Sequence, residues 1–409
     1  MASDLIERTA RWLTPRRVRV HGLLLAICLW SVYAWNFATP GLLDRHGLLK
    51  GTDFLHFYTI GSLALQHRSS DLYDMGAQAG LAHKLVPASA GISYLPLYGP
   101  QVALFFAPFA LLSYGWALTV WLLLNAAVYL LCCFAVWRKC EGLRDQATTV
   151  LILAIAYPAF FHLIAWGQTS VLALACFTLA FLALRSDRRL LAGLAIGLLI
   201  FKPQLGLAGA FVFLLASEWK IVLGAMISAV AELALAWGFF GKAVMGDYAN
   251  HLLRVGDVLP LLEPRSYQLH SLRAFWSLLL PWPGIVFWLY LASALVLLIA
   301  TTLFWRSRSA LALRYTALLL CTVLVAPHLT VYDLTILAPA FLLIADWAAG
   351  QRARDFAPSL PSLLYLCYAL PLVGPLARWT HVQLSVIAMV MLLSAVIRGS
   401  HDLLLLSSQ

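Results

Sequence analysis

The chain has 409 residues, of which 62% are hydrophobic and only 11% charged, with a mean hydropathy of +0.85. An ordinary soluble domain is about a quarter charged and under half apolar, and one core of this size could not hide so much apolar surface. Disordered, coiled-coil and soluble α/β classes are excluded, and an all-α, polytopic membrane helix bundle is expected. The net charge of +10 is spread over short loops, as in the positive-inside bias of membrane proteins, so no nucleic-acid partner is expected.

The first apolar run, about 20–37, exits through Trp35-Asn36-Phe37 without a small-residue cleavage pattern. It reads as a retained span rather than a signal peptide. Further runs lie near 116–137, 146–164, 168–184, 189–201, 204–217, 219–240, 283–305, 311–326, 331–347, 358–377 and 380–397. Together they predict about twelve spans, several shorter than the usual ~20 residues. The run 95–113 is ambiguous, and charge decides it. The amino-terminal tail carries Arg8, Arg11, Arg16, Arg17 and Arg19 against Asp4 and Glu7, which places it on the cytoplasmic side. If 95–113 does not cross, 18 of the 28 basic residues lie inside; if it crosses, only 11 do. The run, which holds Pro96, Pro100 and Pro108, therefore reads as a re-entrant or interfacial helix in a first outer loop, about 38–115. A second outer loop covers about 241–282. Residues 1–409 then form a single integral membrane domain with both termini inside.

On this topology the cytoplasmic loops are too short for a pocket. Asp44, Asp53, Asp71, Asp74, Asp247, Asp257, Glu263 and Asp333 fall outside, and Glu232 alone lies within a span. Chemistry is expected at the outer membrane face. Four polar breaks stand out there. In Gly51-Thr52-Asp53-Phe54, Thr52 or Asp53 reads as a helix N-cap, or Asp53 as a carboxylate held at the water–lipid boundary. Trp166-Gly167-Gln168 separates two spans. In Phe201-Lys202-Pro203-Gln204, Lys202 either snorkels or holds a lipid phosphate. In the run 326–333, Pro327 breaks the helix and His328, Tyr332 and Asp333 cluster around it, as a capped turn or as part of a site. The second outer loop adds Arg265-Ser266-Tyr267-Gln268-Leu269-His270-Ser271-Leu272-Arg273, whose two arginines can anchor to head groups or bind a phosphate bidentately. The seven cysteines lie mostly in apolar runs with no metal-ligand spacing, so neither a zinc site nor a disulfide framework is expected.

The order of these pieces resembles the polyprenol-phosphate-dependent enzymes of glycosyltransferase family 87, within the GT-C superfamily, many of them mannosyltransferases. The resemblance runs from Thr52-Asp53-Phe54 and Asp71-Leu72-Tyr73-Asp74 through Tyr94-Leu95-Pro96-Leu97, Gly167-Gln168, Lys202-Pro203-Gln204 and the Gln268–Arg273 segment. It ends at Pro327-His328 with Tyr332-Asp333. It implies a GT-C-type bundle with juxtamembrane helices in the first outer loop, and Asp53 as catalytic base. Gln168, Lys202, Gln204, Arg265, Gln268, His270, Arg273, His328, Tyr332 and Asp333 are the implied contacts to donor or acceptor. The implied reaction moves a hexose, most plausibly mannose, from a polyprenyl-phosphate donor to a lipid, glycan or protein hydroxyl, with inversion. The expected setting is a bacterial plasma membrane, with the site facing the exterior.

No Gly-rich phosphate loop or DxD-bearing soluble domain points to a nucleotide-sugar donor. Asp53, Asp71, Asp74 and Asp333 could share a divalent ion, but they form no tight cluster in sequence, and a site without cofactor or metal is favoured. Two other classes fit many spans with scattered polar breaks. One is a lipid-linked-sugar flippase, which predicts a polar path at mid-membrane depth. The other is a polymerase or ligase using a polyprenyl-pyrophosphate glycan.

Overall fold

A computed structural model describes residues 13–257, 265–350 and 360–407, the last seven of these by backbone only. The tail residues Asp4, Glu7, Arg8 and Arg11, together with Glu263, Arg352 and Arg354, lie outside the described residues. The described chain is helical, with only two isolated bridges, Leu43↔Leu49 and Leu269↔Thr330.

Helix α1 (Pro15–Phe37) begins with Thr14 capping and Pro15 at the first position, where a missing N–H costs nothing. The segment expected as the first outer loop is largely helical. It holds α2 (Thr52–Leu65), α3 (Met75–Leu85) and the short α4 (Pro100–Phe106), which tightens into a 3-10 turn over Ala107–Leu111. Helix α5 (Tyr114–Trp137) then enters the bundle, followed by α6 (Ala147–Ile155) and α7 (Pro158–Trp166), a pair bent by 45° where Pro158 interrupts the hydrogen-bond ladder. Next come α8 (Ser170–Arg185), α9 (Arg189–Gly197), α10 (Pro203–Leu215) and the long α11 (Trp219–Leu253). The chain closes with α12 (Leu272–Leu279), α13 (Pro283–Trp305), α14 (Leu311–Val325), α15 (Ala338–Ala349), α16 (Leu360–Ala369), α17 (Ala377–Thr380) and α18 (Leu384–Ser407).

Among the described residues, six helices are long and apolar enough to cross a membrane, or seven when the bent α6–α7 pair counts as one. Five of the shorter apolar helices coincide with the remaining expected spans. The protein is a polytopic membrane helix bundle. Segment 95–113 is helical only from Pro100. Its helical part, Pro100–Leu111, is one of the shorter apolar helices. The second outer loop departs from expectation, because residues 242–253 continue α11 beyond a break at Gly241 (φ 81°, ψ 178°). That extension is amphipathic: Val244 and Tyr248 are buried, and Tyr248 and His251 pack on Tyr73 of the first loop.

Two apolar cores result. One fills the bundle; the other joins α2, α4, the start of α5 and Ala236, Phe240 and Val244 of α11. Phe54, Phe57, Phe106 and Trp121 form the centre of the second, with Phe57 stacked on Phe106 at 4.9 Å. Leu122, Leu172 and Phe201 pack against both.

Helices α9 and α11 approach through small residues. A Cβ on Gly193 would lie 2.1 Å from the Ile221 carbonyl oxygen, and one on Gly224 would lie 2.2 Å from that of Leu190. Ser228 donates across the same seam to the Leu194 carbonyl at 2.8 Å. In lipid, such small-residue seams replace the hydrophobic drive that water would supply. Gly224→Ala is expected to destabilise the protein by roughly 1–3 kcal/mol through overpacking, read as a lower melting temperature in detergent. Gly206→Ala, with nothing within 4 Å, should leave it unchanged or raise it.

Candidate active site

Asp53 sits in the first turn of α2. The helix is capped by neither Thr52 nor Asp53: its N-cap is Gly51, left-handed at φ 65°, where a Cβ would strike Leu118. The turn is held by side chains reaching from elsewhere. Tyr114 donates to the carbonyls of Lys50 and Gly51 at 2.8 and 2.9 Å, and the Tyr94 hydroxyl donates to the Thr52 carbonyl. The Asp53 carboxylate is thereby left for side-chain chemistry.

Its partner is Gln168, whose Nε2 donates to Asp53 Oδ2 at 2.6 Å and lies 3.2 Å from the Tyr332 hydroxyl. Gln168 is aimed by Gly167, which ends α7 at φ 69° and whose carbonyl accepts from Trp121 Nε1 at 2.8 Å. No other residue would fit there easily, because a Cβ would come within 2.9 Å of Phe54 Cβ. Burial lifts the Asp53 carboxyl to about 6; the Gln168 hydrogen bond and the Lys202 charge oppose that rise, and Asp333 adds to it.

Beside this pair lies a second, fully buried one. Lys202 Nζ is 2.8 Å from Asp333 Oδ1, with both side chains 4% exposed. Ser170 donates to the same oxygen at 2.5 Å and accepts from Lys202 at 3.0 Å. The other oxygen, Oδ2, closes a capping box with the Thr330 backbone and hydroxyl at 3.2 and 3.1 Å. The ammonium also stands 5.4 Å above the Tyr332 ring. Lys202 is held in the break between the 3-10 turn Leu198–Phe201 and Pro203, which opens α10.

The structure thus brings together Asp53, Gln168, Lys202, Tyr332 and Asp333. Lys202 and Asp333 are buried against each other, each neutralising the other's charge. His270 is 1% exposed, its Nδ1 is 2.7 Å from Ser385 Oγ, and its backbone N–H donates to Leu329. Its segment pins the second loop to the Pro327 turn through the Leu269↔Thr330 bridge. Arg273 reaches that turn too, donating to the Pro327 carbonyl at 3.0 Å. Gln204, Gln268 and His328 are partly exposed, and Arg265 is exposed. Ser170 and Thr330 were not singled out in the sequence. The run Gln168-Thr169-Ser170 at the head of α8 is the signal that places Ser170, since Gln168 and Ser170 serve two different carboxylates.

The other acidic residues of the first loop serve its own structure. Asp71 pairs with Arg68, and Asp74 caps α3 by accepting from the Ala77 N–H at 3.0 Å. Among the described residues, no group of three or more His, Cys, Asp or Glu side chains is placed to hold a metal ion.

Apolar helices long enough to span a bilayer, with a carboxylate site built from their polar breaks, define an integral membrane protein with an enzyme-like centre. Residues 97–331, more than half of the chain, match the model of glycosyltransferase family 87, and the chain belongs to that family. It is a glycosyltransferase, acting on a sugar donor and an acceptor. No curated protein and no solved structure matches it.

Removing one member of a buried ion pair strands the other charge. Lys202→Met is expected to destabilise the protein by roughly 3–5 kcal/mol. Adding Asp333→Leu to it should recover a large part of that loss, read by thermal unfolding of the two single variants and the double variant.

Proposed function

We propose that the protein transfers a hexose, mannose being the favoured sugar, from a polyprenyl-phosphate donor to an acceptor hydroxyl at the outer membrane face. The observation that carries this reading is Asp53. Among the described residues, its carboxylate is fixed by Gln168 through Oδ2 alone, while burial lifts it to about 6. That is a base poised near neutral pH. In the proposed step the acceptor O–H proton passes to Asp53 Oδ1 as the oxygen attacks the anomeric carbon. The bond from that carbon to the phosphate oxygen breaks, and its electron pair leaves with the polyprenyl phosphate. Attack from the side opposite the phosphate inverts the centre, so a β-linked donor gives an α-linked product. A phosphate leaves without a general acid, unlike the paired acid and base of glycoside hydrolysis.

The developing phosphate charge falls in this reading to Arg265 and Arg273. Lys202 contributes at a distance, by holding Asp333 and favouring the ionised form of Asp53. An apolar groove of about 550 Å³ supports a lipid-linked donor. It runs between α12, α13 and α18, lined by Leu272, Phe275, Trp276, Val296, Val386 and Val390.

Transfer of labelled mannose from polyprenyl-phosphate mannose to a membrane-lipid extract by the purified protein is the direct test. Asp53→Asn is expected to lower the rate by about 10²–10⁴ while the melting temperature and donor binding hold. If the wild type transfers nothing and a vesicle assay shows the donor crossing the bilayer, a flippase takes its place. The pH profile supplies a second check. Asp53 must be ionised to act, so kcat/KM should fall as pH drops through about 6. Gln168→Leu removes a hydrogen bond to the ionised form, so the acid limb should move to higher pH. Activity is expected to survive EDTA; loss with rescue by an added divalent ion would overturn the metal-free reading.

A further inference from the structure

Three residues beyond Asp53 on the same helix, His56 is 5% exposed, and neither ring nitrogen has a hydrogen-bond partner. Residues three apart on a helix share a face, so the imidazole lies on the Asp53 side of α2. Its ring is walled by Tyr94 at 5.0 Å and Tyr98 at 5.6 Å, both tilted rather than stacked. Both tyrosines are partly exposed, as are Asp53 and Tyr332, although all four belong to one cluster deep in the fold. The Tyr94 hydroxyl donates to the carbonyl of Thr52, next to Asp53, and both Tyr94 and Tyr98 feel the Asp53 charge. The aromatic wall thus stands beside the first turn of α2 that carries Asp53.

A buried imidazole with two unpartnered nitrogens is costly, because each has given up water for nothing. Burial also pulls His56 down to about 4, so the ring is neutral at physiological pH and offers one N–H donor and one acceptor. A sugar hydroxyl is both donor and acceptor and answers that pair. The C–H faces of a pyranose suit flat aromatic walls such as Tyr94 and Tyr98.

We propose that His56, Tyr94 and Tyr98 form a pyranose-binding subsite beside Asp53, with His56 hydrogen-bonding a ring hydroxyl and the two tyrosines flanking the ring. His56 is a specificity residue and takes no proton in the reaction. The proposal rests on the glycosyltransferase reading of Asp53, but it names what the helix face next to the base recognises. The pyranose is either the hexosyl unit of the donor or a sugar of the acceptor, and the measurement separates them.

The test compares wild type, His56→Phe and His56→Gln as purified full-length proteins. His56→Phe keeps an aromatic ring and removes both nitrogens. KM for polyprenyl-phosphate hexose and for acceptor are measured separately, with kcat and the melting temperature. His56→Phe is expected to raise one KM by roughly tenfold or more, the loss expected for a removed hydrogen bond in a dry site. His56→Gln should restore part of it, and the melting temperature should stay level or rise. A rise in the donor KM assigns the donor sugar, and a rise in the acceptor KM assigns the acceptor. Unchanged values for both, with a stable His56→Phe protein, overturn the subsite and leave a purely structural histidine or a buried bridging water.

Saturation-transfer NMR with free methyl hexosides reads binding without turnover, so it stands even if no polyprenyl donor is used. Wild type should transfer saturation to pyranose ring protons and His56→Phe should not. No transfer to any hexoside by wild type overturns the proposal. Should His56→Phe fail to fold, Tyr98→Leu is read by the same two assays, with a raised KM and lost saturation expected; unchanged values overturn the subsite.

Discussion

An ammonium and a carboxylate removed together from water hold this site in place. Taking either Lys202 or Asp333 alone into an apolar interior costs several kcal/mol. Their mutual attraction repays this only because Ser170 and Thr330 occupy the remaining polar positions. The four residues come from three breaks in the helical chain: Ser170 from the head of α8, Lys202 from the turn before α10, and Thr330 and Asp333 together from the turn before α15. Irregular backbone in a membrane protein survives only where protein buries it. The ion pair lets three breaks meet and satisfy one another, and Tyr332 and Gln168 carry the arrangement on to Asp53.

The two carboxylates of this centre are treated oppositely. Asp333 has a cation, a hydroxyl and a capping box, and its charge is spent on holding the fold. Asp53 has one amide and a distant ammonium, so burial dominates and its proton is held more tightly than in water. Two acids with environments that push them apart are the arrangement by which a fold separates a structural charge from a reactive one. Gln168 and Ser170, two residues apart in sequence, make this division: one faces Asp53 and the other Asp333.

Much of this was legible in sequence because polar groups are expensive beside lipid. Asp53, Gln168, Lys202, Tyr332 and Asp333 all announced themselves as interruptions of apolar runs, and the charge count excluded a crossing by a segment that proves helical only from Pro100. What the sequence could not show was pairing. Lys202 and Asp333 are 131 positions apart, and nothing local to either marks the other, so Lys202 read as a snorkelling side chain or a phosphate ligand. Ser170 was invisible for a different reason: a serine at a helix start has an ordinary explanation as a local cap. The extension of α11 was hidden because Gly241, Lys242 and Asp247 look like loop; only the packing of Val244 and Tyr248 on the first outer loop shows why the helix continues. His270 lay in a polar stretch and read as a contact residue, whereas its burial is set by Ser385 and by the strand-like bridge to Thr330.

The two apolar cores give the site its final property. Asp53 belongs to a helix packed in the smaller core, while Gln168, Lys202 and Asp333 are carried by the bundle. Trp121 links the two, because its ring packs against Phe54 while its N–H is committed to the Gly167 carbonyl. In the proposed reaction this division matters. The base is carried by one body, and the residues that orient it are carried by the other. The distance between them is then set by how the two cores pack, through Leu122, Leu172 and Phe201. Orientation of this kind, held by rigid packing rather than by the reacting groups themselves, is a principal way that a site with a single base can lower a barrier.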